Sequence, residues 1–276
     1  MVQSLPFIKM HGLGNDYVYI DCFRDQTAAL MAQADLSALS VRMSNRHTGI
    51  GSDGIVLMMP SRTADVRMRM FNADGSEAEM CGNAVRCIAR YAYGQGLCGN
   101  PMTIETQAGV KELSLQLADN GSVEQVTVNM GKPAAKQEQL AMDDRIVPFV
   151  QVDMGNPHAV IFTDTPLDEI PLADVGPLWE HHPRFAQRTN VEFVRVRNNK
   201  EVDVRVWERG TGETMACGTG ACASVVAAVL CHLTDTSVTV HLTGGDLLVE
   251  WDRRTGDLHM SGTATEVFRG EYILNE

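Results

Sequence analysis

Glu213-Thr214-Met215-Ala216-Cys217-Gly218-Thr219-Gly220-Ala221-Cys222, continuing as Ala223-Ser224-Val225-Val226-Ala227-Ala228-Val229-Leu230, reads as a turn that runs straight into an apolar, alanine-rich helix. Cys217 stands at the joint, beside Gly218 and Gly220. The first amides of a helix have no partner within it, so N–H groups point outward around this thiol. An anion and a reactive sulfur can meet there.

The stretch has a copy. Glu77-Ala78-Glu79-Met80-Cys81-Gly82-Asn83-Ala84-Val85-Arg86-Cys87 repeats the design about half a chain earlier. Four residues ahead of each cysteine is a glutamate, Glu77 or Glu213, and ten ahead is an aromatic, Phe71 or Trp207. Downstream, Thr103 matches Thr239 and Gly109 matches Gly245 at equal offsets. The chain is therefore a duplicated unit with one such cysteine per half.

A chain of 276 residues, 44% of them hydrophobic, can bury one large core or two ordinary ones, and the duplication favours two. The net charge of −12 and the lack of any Lys/Arg cluster argue against nucleic acid or an anionic membrane as partner. The start, Met1 to Gly12, lacks the basic and apolar regions of a signal peptide and reads as a first strand. The apolar run around Ala221 to Leu230 is too short to span a bilayer. Seven cysteines in no regular framework point to a reducing cytoplasm.

In chain order, Phe7–Met10 and Tyr17–Asp21 alternate as strands around the turn His11-Gly12-Leu13-Gly14-Asn15-Asp16. A helix is expected over Asp35–Met43. Gly49-Ile50-Gly51-Ser52-Asp53-Gly54 matches a dinucleotide fingerprint in letters only. No buried strand precedes it and no helix follows, so it reads as a tight turn. Strands are expected over Asp65–Phe71, Thr103–Thr106, Glu112–Leu117 and Val123–Asn129, with Asn120-Gly121 as a hairpin signal. Gly131–Leu140 reads as a connecting segment. Val150–Ile161 resembles the opening strand-turn-strand, with Gly155-Asn156 in the place of Gly14-Asn15. Asp168–Trp179 is helical in pieces, broken at Pro171 and Pro177. Asn190–Val196, Glu201–Trp207, Val238–Leu242, Leu247–Trp251 and Leu258–Gly262 complete the second half, and Val267–Leu274 returns as a last strand to the first. Many strands around one helix in each half, without βαβ alternation, define an α+β class.

Four chemistries fit Cys81 and Cys217. Buried structural thiols suit Cys87, Cys222 and Cys231, but explain poorly two cysteines at matching helix starts. A metal site lacks C-x-x-C or H-x-x-x-H spacing, so none is expected. A redox dithiol lacks the C-x-x-C that sets a potential. Acid–base catalysis by two thiols on opposite faces of one carbon fits best. A helix N-terminus is expected to lower each thiol towards thiolate, one sulfur takes a proton while the other gives one, and nearby amides bind a carboxylate.

The motifs His11–Asp16, Phe71–Glu77, Cys81-Gly82-Asn83, Gly155-Asn156-Pro157-His158, Arg188-Thr189-Asn190-Val191-Glu192, Glu208-Arg209-Gly210 and Ala216–Ala221, in this order, resemble the diaminopimelate epimerase family almost end to end. The resemblance implies a cofactor-independent isomerase that interconverts LL- and meso-2,6-diaminopimelate for lysine and peptidoglycan synthesis. It implies two pseudo-symmetric domains, each a β-rich, barrel-like antiparallel sheet around a central helix, with the site in the cleft between them. On the sequence they span residues 1–125 with 265–276 returning, and residues 126–264. By the same resemblance Cys81 and Cys217 are the acid/bases, and His158 and Glu208 modulate their ionisation. Asn15, Asn72, Asn156, Asn190, Glu208 and Arg209 bind substrate, and the amides of Gly82, Asn83, Gly218 and Thr219 grip the reacting carboxylate. The partner is a small amino acid, with a homodimer as a possible assembly. No lysine lies in any motif, so no pyridoxal phosphate is expected. One departure matters: Gly54 stands where some relatives carry a substrate-contacting glutamine. A related racemase of another amino acid is the rival within the class, and a thiol redox-sensing or binding protein the rival outside it.

Overall fold

The computed structural model describes residues 3–142 and 145–274; Met1, Val2, Asp143, Asp144, Asn275 and Glu276, which fall inside the expected domain ranges, lie outside the described residues. The chain forms two compact units, Met1–Val128 with Gly262–Glu276, and Asn129–Ser261. Both are α+β.

In the first unit the strand Asn15–Asp21 lies between Gln3–Gly12, antiparallel, and Gly54–Met59, parallel with Val18 opposite Ile55. Gly54–Met59 turns back on Val66–Asn72, and that strand runs parallel to Met102–Thr106. The meander continues through Gly109–Leu117 and Val123–Gly131. At the other edge Thr265–Leu274 pairs with Gln3–Gly12, with Leu5 opposite Tyr272. The helix Gly82–Gly94 buries Ala84, Val85, Cys87, Ile88 and Ala89 completely. Each large apolar side chain buried this way contributes about 1.5–3 kcal/mol.

The second unit repeats this order. Pro157–Phe162 lies between Arg145–Asp153 and Asn190–Asn198, the latter parallel with Ala159 opposite Val191. Asn190–Asn198 turns back on Glu201–Glu208, which runs parallel to Ser237–Leu242, and Gly245–Trp251 and Leu258–Gly262 follow. The helix Gly218–Leu230 is buried nearly all round, from Ala221 and Cys222 to Ala227 and Ala228. A helix without a polar face suits a core position with strand neighbours on several sides.

Three expectations are corrected. The sheets are mixed rather than antiparallel, because Asn15–Asp21 runs parallel to Gly54–Met59 and Pro157–Phe162 runs parallel to Asn190–Asn198, each pair joined by a long crossover that returns the chain in the same direction. Residues 131–140 are not a connector: Ala134–Met142 is a strand paired with Arg145–Asp153, Glu138 opposite Phe149. Its polar letters reflect its exposure, since only Leu140 is buried among its residues. Pro177 does not break its helix, which runs Leu172–Glu180. The preceding residue, Gly176, has no Cβ to clash with the proline ring, and a Cβ there would also meet the Trp207 ring at 2.4 Å. A helix over Asp25–Gln33 carried too weak an apolar stripe to be read. The expected helix near Asp35 is present as Leu36–Ser44, with Asp35 accepting from the Ala38 amide at 3.0 Å. The segment 49–54 is a turn: the amides of Ile50 and Gly51 donate to Met43 O, closing that helix before the strand starts.

Candidate functional site

Cys81 is the N-cap of Gly82–Gly94, with extended backbone at φ −139°, ψ 121°. The turn before it is fastened by Arg69, whose Nε donates to Glu77 at 2.7 Å. The half-exposed Cys81 thiol lies 3.4 Å from Asn15 Oδ1, which also accepts from Asn83 Nδ2 at 3.1 Å. Asn15 is oriented from behind, its Nδ2 donating to Asp53 Oδ2 at 2.8 Å. Asn83 Oδ1 accepts from Arg86 at 2.8 Å. Arg86 is fully buried and also donates to Gly82 O and Thr263 O. Gly12 makes that room, for a Cβ there would come within 3.0 Å of the guanidinium.

Asn72 stands apart from this group. Its side chain donates to Ser76 Oγ at 3.0 Å inside its own turn, and it pairs across the sheet with Gly54. Gly54 is buried, and a Cβ there would sit 2.1 Å from Phe71 O and 2.9 Å from Tyr17. No side chain fits on this backbone. Gly54→Gln is therefore expected to supply no new substrate contact and to lower stability by at least about 2 kcal/mol, measured by denaturant unfolding. A stable variant with tighter substrate binding would contradict this.

Cys217 mirrors Cys81 as the N-cap of Gly218–Leu230, at φ −114°, ψ 112°. The ion pair before it is mirrored too, Arg205 Nε donating to Glu213 at 2.8 Å. Cys217 is only 6% exposed. Its Sγ accepts from the Gly220 amide at 3.4 Å and lies 3.5 Å from Thr219 Oγ1. Asn156 Nδ2 donates to that hydroxyl at 3.3 Å, and Asn156 Oδ1 faces His158 Nε2 at 3.1 Å. His158 Nδ1 lies 2.6 Å from Glu192 Oε1, and both side chains are wholly buried. Cys217, Thr219, Asn156 and His158 thus form one group, joined by Glu192, which sequence reasoning did not single out. Glu192 was one of several polar letters in its strand, with Asn190 and Arg195, and nothing local marked it as buried.

Arg209, Asn190 and Glu208 lie at the adjoining turn. The buried Asn190 accepts from the Arg209 amide at 2.9 Å and donates to Pro157 O at 3.0 Å, so its amide group braces backbone. The Arg209 side chain is exposed, with one bond to Gln187 O at 3.1 Å. Glu208 accepts from the Thr214 hydroxyl. Glu180, also unforeseen, fixes the same turn by accepting from Gly210 N at 2.9 Å, Trp207 Nε1 at 2.8 Å and Arg188 at 3.2 Å.

The expected lowering of Cys217 by its helix is overturned. Burial pushes this thiol well above its ordinary range, and the carboxylates of Glu208 and Glu192 push the same way. The Thr219 hydroxyl and Gly220 amide pull it down, but by less. Glu192 is itself raised, by burial first and by Glu208, with His158 opposing. Peptide-resolved alkylation by iodoacetamide is therefore expected to reach Cys217 slowly at pH 7 and to accelerate by about tenfold per pH unit into the alkaline range. A plateau near neutrality would contradict a raised thiol.

Among the described residues there is no cluster of three or more metal-ligating side chains, and no helix is long and apolar enough to cross a membrane. The fold is one shared with solved structures. A PhzF-family phenazine biosynthesis protein from Bacillus anthracis superposes with a TM-score of 0.73 at 16% identity, over 99% of this chain and 100% of that one. A hydroxyproline epimerase from Agrobacterium vitis gives 0.71 at 14% identity, over 100% and 95%. The fold is thus one that an epimerase and a phenazine biosynthesis protein also have, built here from two matching halves. Sequence similarity narrows the class. The diaminopimelate epimerase model matches residues 7–136 and 150–267. The chain is 46% identical to diaminopimelate epimerase of Acetivibrio thermocellus, over 99% of this chain and 100% of that protein. It is 48% identical to that of Pelotomaculum thermopropionicum, over 97% and 99%. The chain belongs to the diaminopimelate epimerase family and is an isomerase.

Proposed function

We propose that this chain interconverts LL- and meso-2,6-diaminopimelate, without a cofactor, by moving the α-proton between Cys81 and Cys217. The observation that carries the reading is the matched pair of half-sites: in each, an extended N-cap cysteine is followed by glycine at the start of a buried helix. Each half is a barrel-like domain contributing one sulfur, and the substrate binds in the cleft between them. One thiolate takes the α-proton from one face while the opposite thiol donates its proton to the other face. The C–H bond broken and the C–H bond formed are on the same carbon, so its configuration inverts. The amides of Gly82, Asn83, Gly218 and Thr219 stabilise the carboxylate as charge builds up on it.

The raised Cys217 thiol suits the donor role in the direction where Cys81 is the base. In the reverse direction Cys217 is the base, and the Gly220 amide and Thr219 hydroxyl stabilise its thiolate. Arg209, Asn15, Asn72 and Asn156 hold the amino and carboxylate groups of the substrate, mostly at the distal end. Asn190 binds there too, and its bond to the Arg209 amide sets the anchor's place. Glu208 and His158 tune Cys217. Reduced thiols fit a cytoplasmic enzyme of lysine and peptidoglycan synthesis, and a homodimer is its assembly.

The test is exchange of the α-hydrogen in D2O across a panel of amino acids, with no pyridoxal phosphate or metal added. Diaminopimelate is expected to exchange and to epimerise. No exchange with both thiols intact would overturn the epimerase reading. Exchange with proline or histidine alone would reassign the substrate to a related racemase.

A further inference from the structure

The two half-sites match in their cysteines but not in what lies beneath them. Ile55 lies opposite Phe71 as Val191 lies opposite Trp207, and Val18 pairs with Ile55 as Ala159 pairs with Val191. Val56 therefore holds the place of Glu192, and Tyr17 the place of His158. The first half carries a valine and a tyrosine where the second half carries a wholly buried Glu–His pair. Burying two ionisable groups is costly, and Glu192 Oε2 has no hydrogen-bond partner at all. Gly220 accommodates the carboxylate: a Cβ there would lie 2.8 Å from Glu192 Oε1 and 3.3 Å from Cys217 Sγ.

The hydrogen bonds leaving the pair have a direction. Asn156 Oδ1 can only accept, so His158 Nε2 carries a hydrogen. Asn156 Nδ2 donates to Thr219 Oγ1, which leaves the hydroxyl hydrogen of Thr219 free to turn onto the Cys217 sulfur. Nδ1 and Oε1, 2.6 Å apart, share a further proton between them. That bond fixes which way the imidazole faces, and everything downstream follows from it.

We infer that Glu192 is a positioning residue for Cys217: by holding His158 with Nε2–H towards Asn156, it aims the Asn156–Thr219 row of donors at the sulfur of the second half alone. The inference deepens the two-thiol reading and rests on it for its catalytic meaning. The row also leaves the second hydrogen of Asn156 Nδ2 for a carboxylate of the substrate. Two carboxylates near this sulfur, Glu208 from the neighbouring strand Glu201–Glu208 and Glu192 itself, oppose the thiolate by their charge; the inferred donor row outweighs the contribution of Glu192.

Peptide-resolved alkylation of Cys217 in the substrate-free full chain tests it, with Cys81 in the same digest as internal reference. Glu192→Leu removes the partner of Nδ1 and is expected to slow Cys217 alkylation about tenfold. Glu192→Gln can donate to Nδ1, keeps Nε2–H in place, and is expected to stay within about threefold of the parent. If Glu192 acted only as a nearby negative charge, both variants would speed the reaction alike, and that result overturns the proposal. Equal, unchanged rates overturn it as well. Should Glu192→Leu fail to fold, Thr219→Val removes the last donor at the helix surface. A tenfold slowing then supports the row, and an unchanged rate overturns it. Because no substrate is present, failure of diaminopimelate exchange would leave this result standing.

Discussion

Cys217→Ala and Cys81→Ala each abolish epimerisation, with a loss of at least about 10³-fold expected in the rate of inversion. Two-face proton transfer needs both sulfurs, because a base on one face cannot deliver a proton to the other. The informative measurement separates inversion from exchange. With Cys217 gone, Cys81 can still take a proton from its own face and return a deuteron to it. That variant is expected to retain slow exchange from one configuration only, with no inversion, and Cys81→Ala to show the opposite preference. Inversion at parental rates in either variant would sink the two-base mechanism. Stability separates the pair further. Cys217 Sγ accepts from the Gly220 amide, so Cys217→Ala also loses a helix cap, about 1 kcal/mol. Cys81 makes no such cap bond, and Cys81→Ala is expected to cost less in thermal unfolding. Cys222, fully buried in its helix, serves as the contrast: Cys222→Ala is expected to change stability and leave inversion intact.

Arg209→Ala is expected to raise KM for diaminopimelate by about a hundredfold and to change kcat much less. A guanidinium gripping a carboxylate through two parallel hydrogen bonds contributes about 3 kcal/mol over solvent, and the distal carboxylate does not change charge during reaction. Such binding is uniform between ground and transition states, so its loss falls on KM. The side chain is exposed and holds only Gln187 O, so the fold is expected to survive its removal. Arg209→Lys recovers only part of the affinity, because a point charge lacks the planar fork. A KM unchanged in Arg209→Ala would remove Arg209 from the binding site. The brace behind it predicts a graded effect. Asn190 and Glu180 hold the backbone of Arg209 and Gly210, and changes there act on the same parameter through the position of the turn.

What could be read in advance was local. A cysteine followed by glycine at the head of an apolar run encodes its own cap and helix, and two copies at equal spacing encode a duplicated chain. Phe71 and Trp207, and Glu77 and Glu213, fell into register because each half closes the same strand, turn and helix over short distances. The structure adds a further local match that was not read: Arg69 and Arg205 each lie eight residues from their glutamates across one tight turn.

What could not be read depended on strands far apart in the chain. Ala134–Met142 looked like a connector because an exposed strand carries polar letters, and only its partner Arg145–Asp153 makes it a strand. Asp53 orients Asn15 across 38 positions, and Glu192 meets His158 across 34. Nothing in either neighbourhood marks the pairing. The ionisation of Cys217 was misjudged for the same reason. A helix start lowers a thiol when water reaches it, but here the surrounding strands exclude water and bring up Glu208 and Glu192. The sequence by itself determined the duplication, the two cysteines and the family, since caps, turns and repeats are written in neighbouring residues. Only the tertiary structure decided which thiol is buried and which carboxylate stands behind it, because burial and charge proximity are properties of strands brought together from distant parts of the chain.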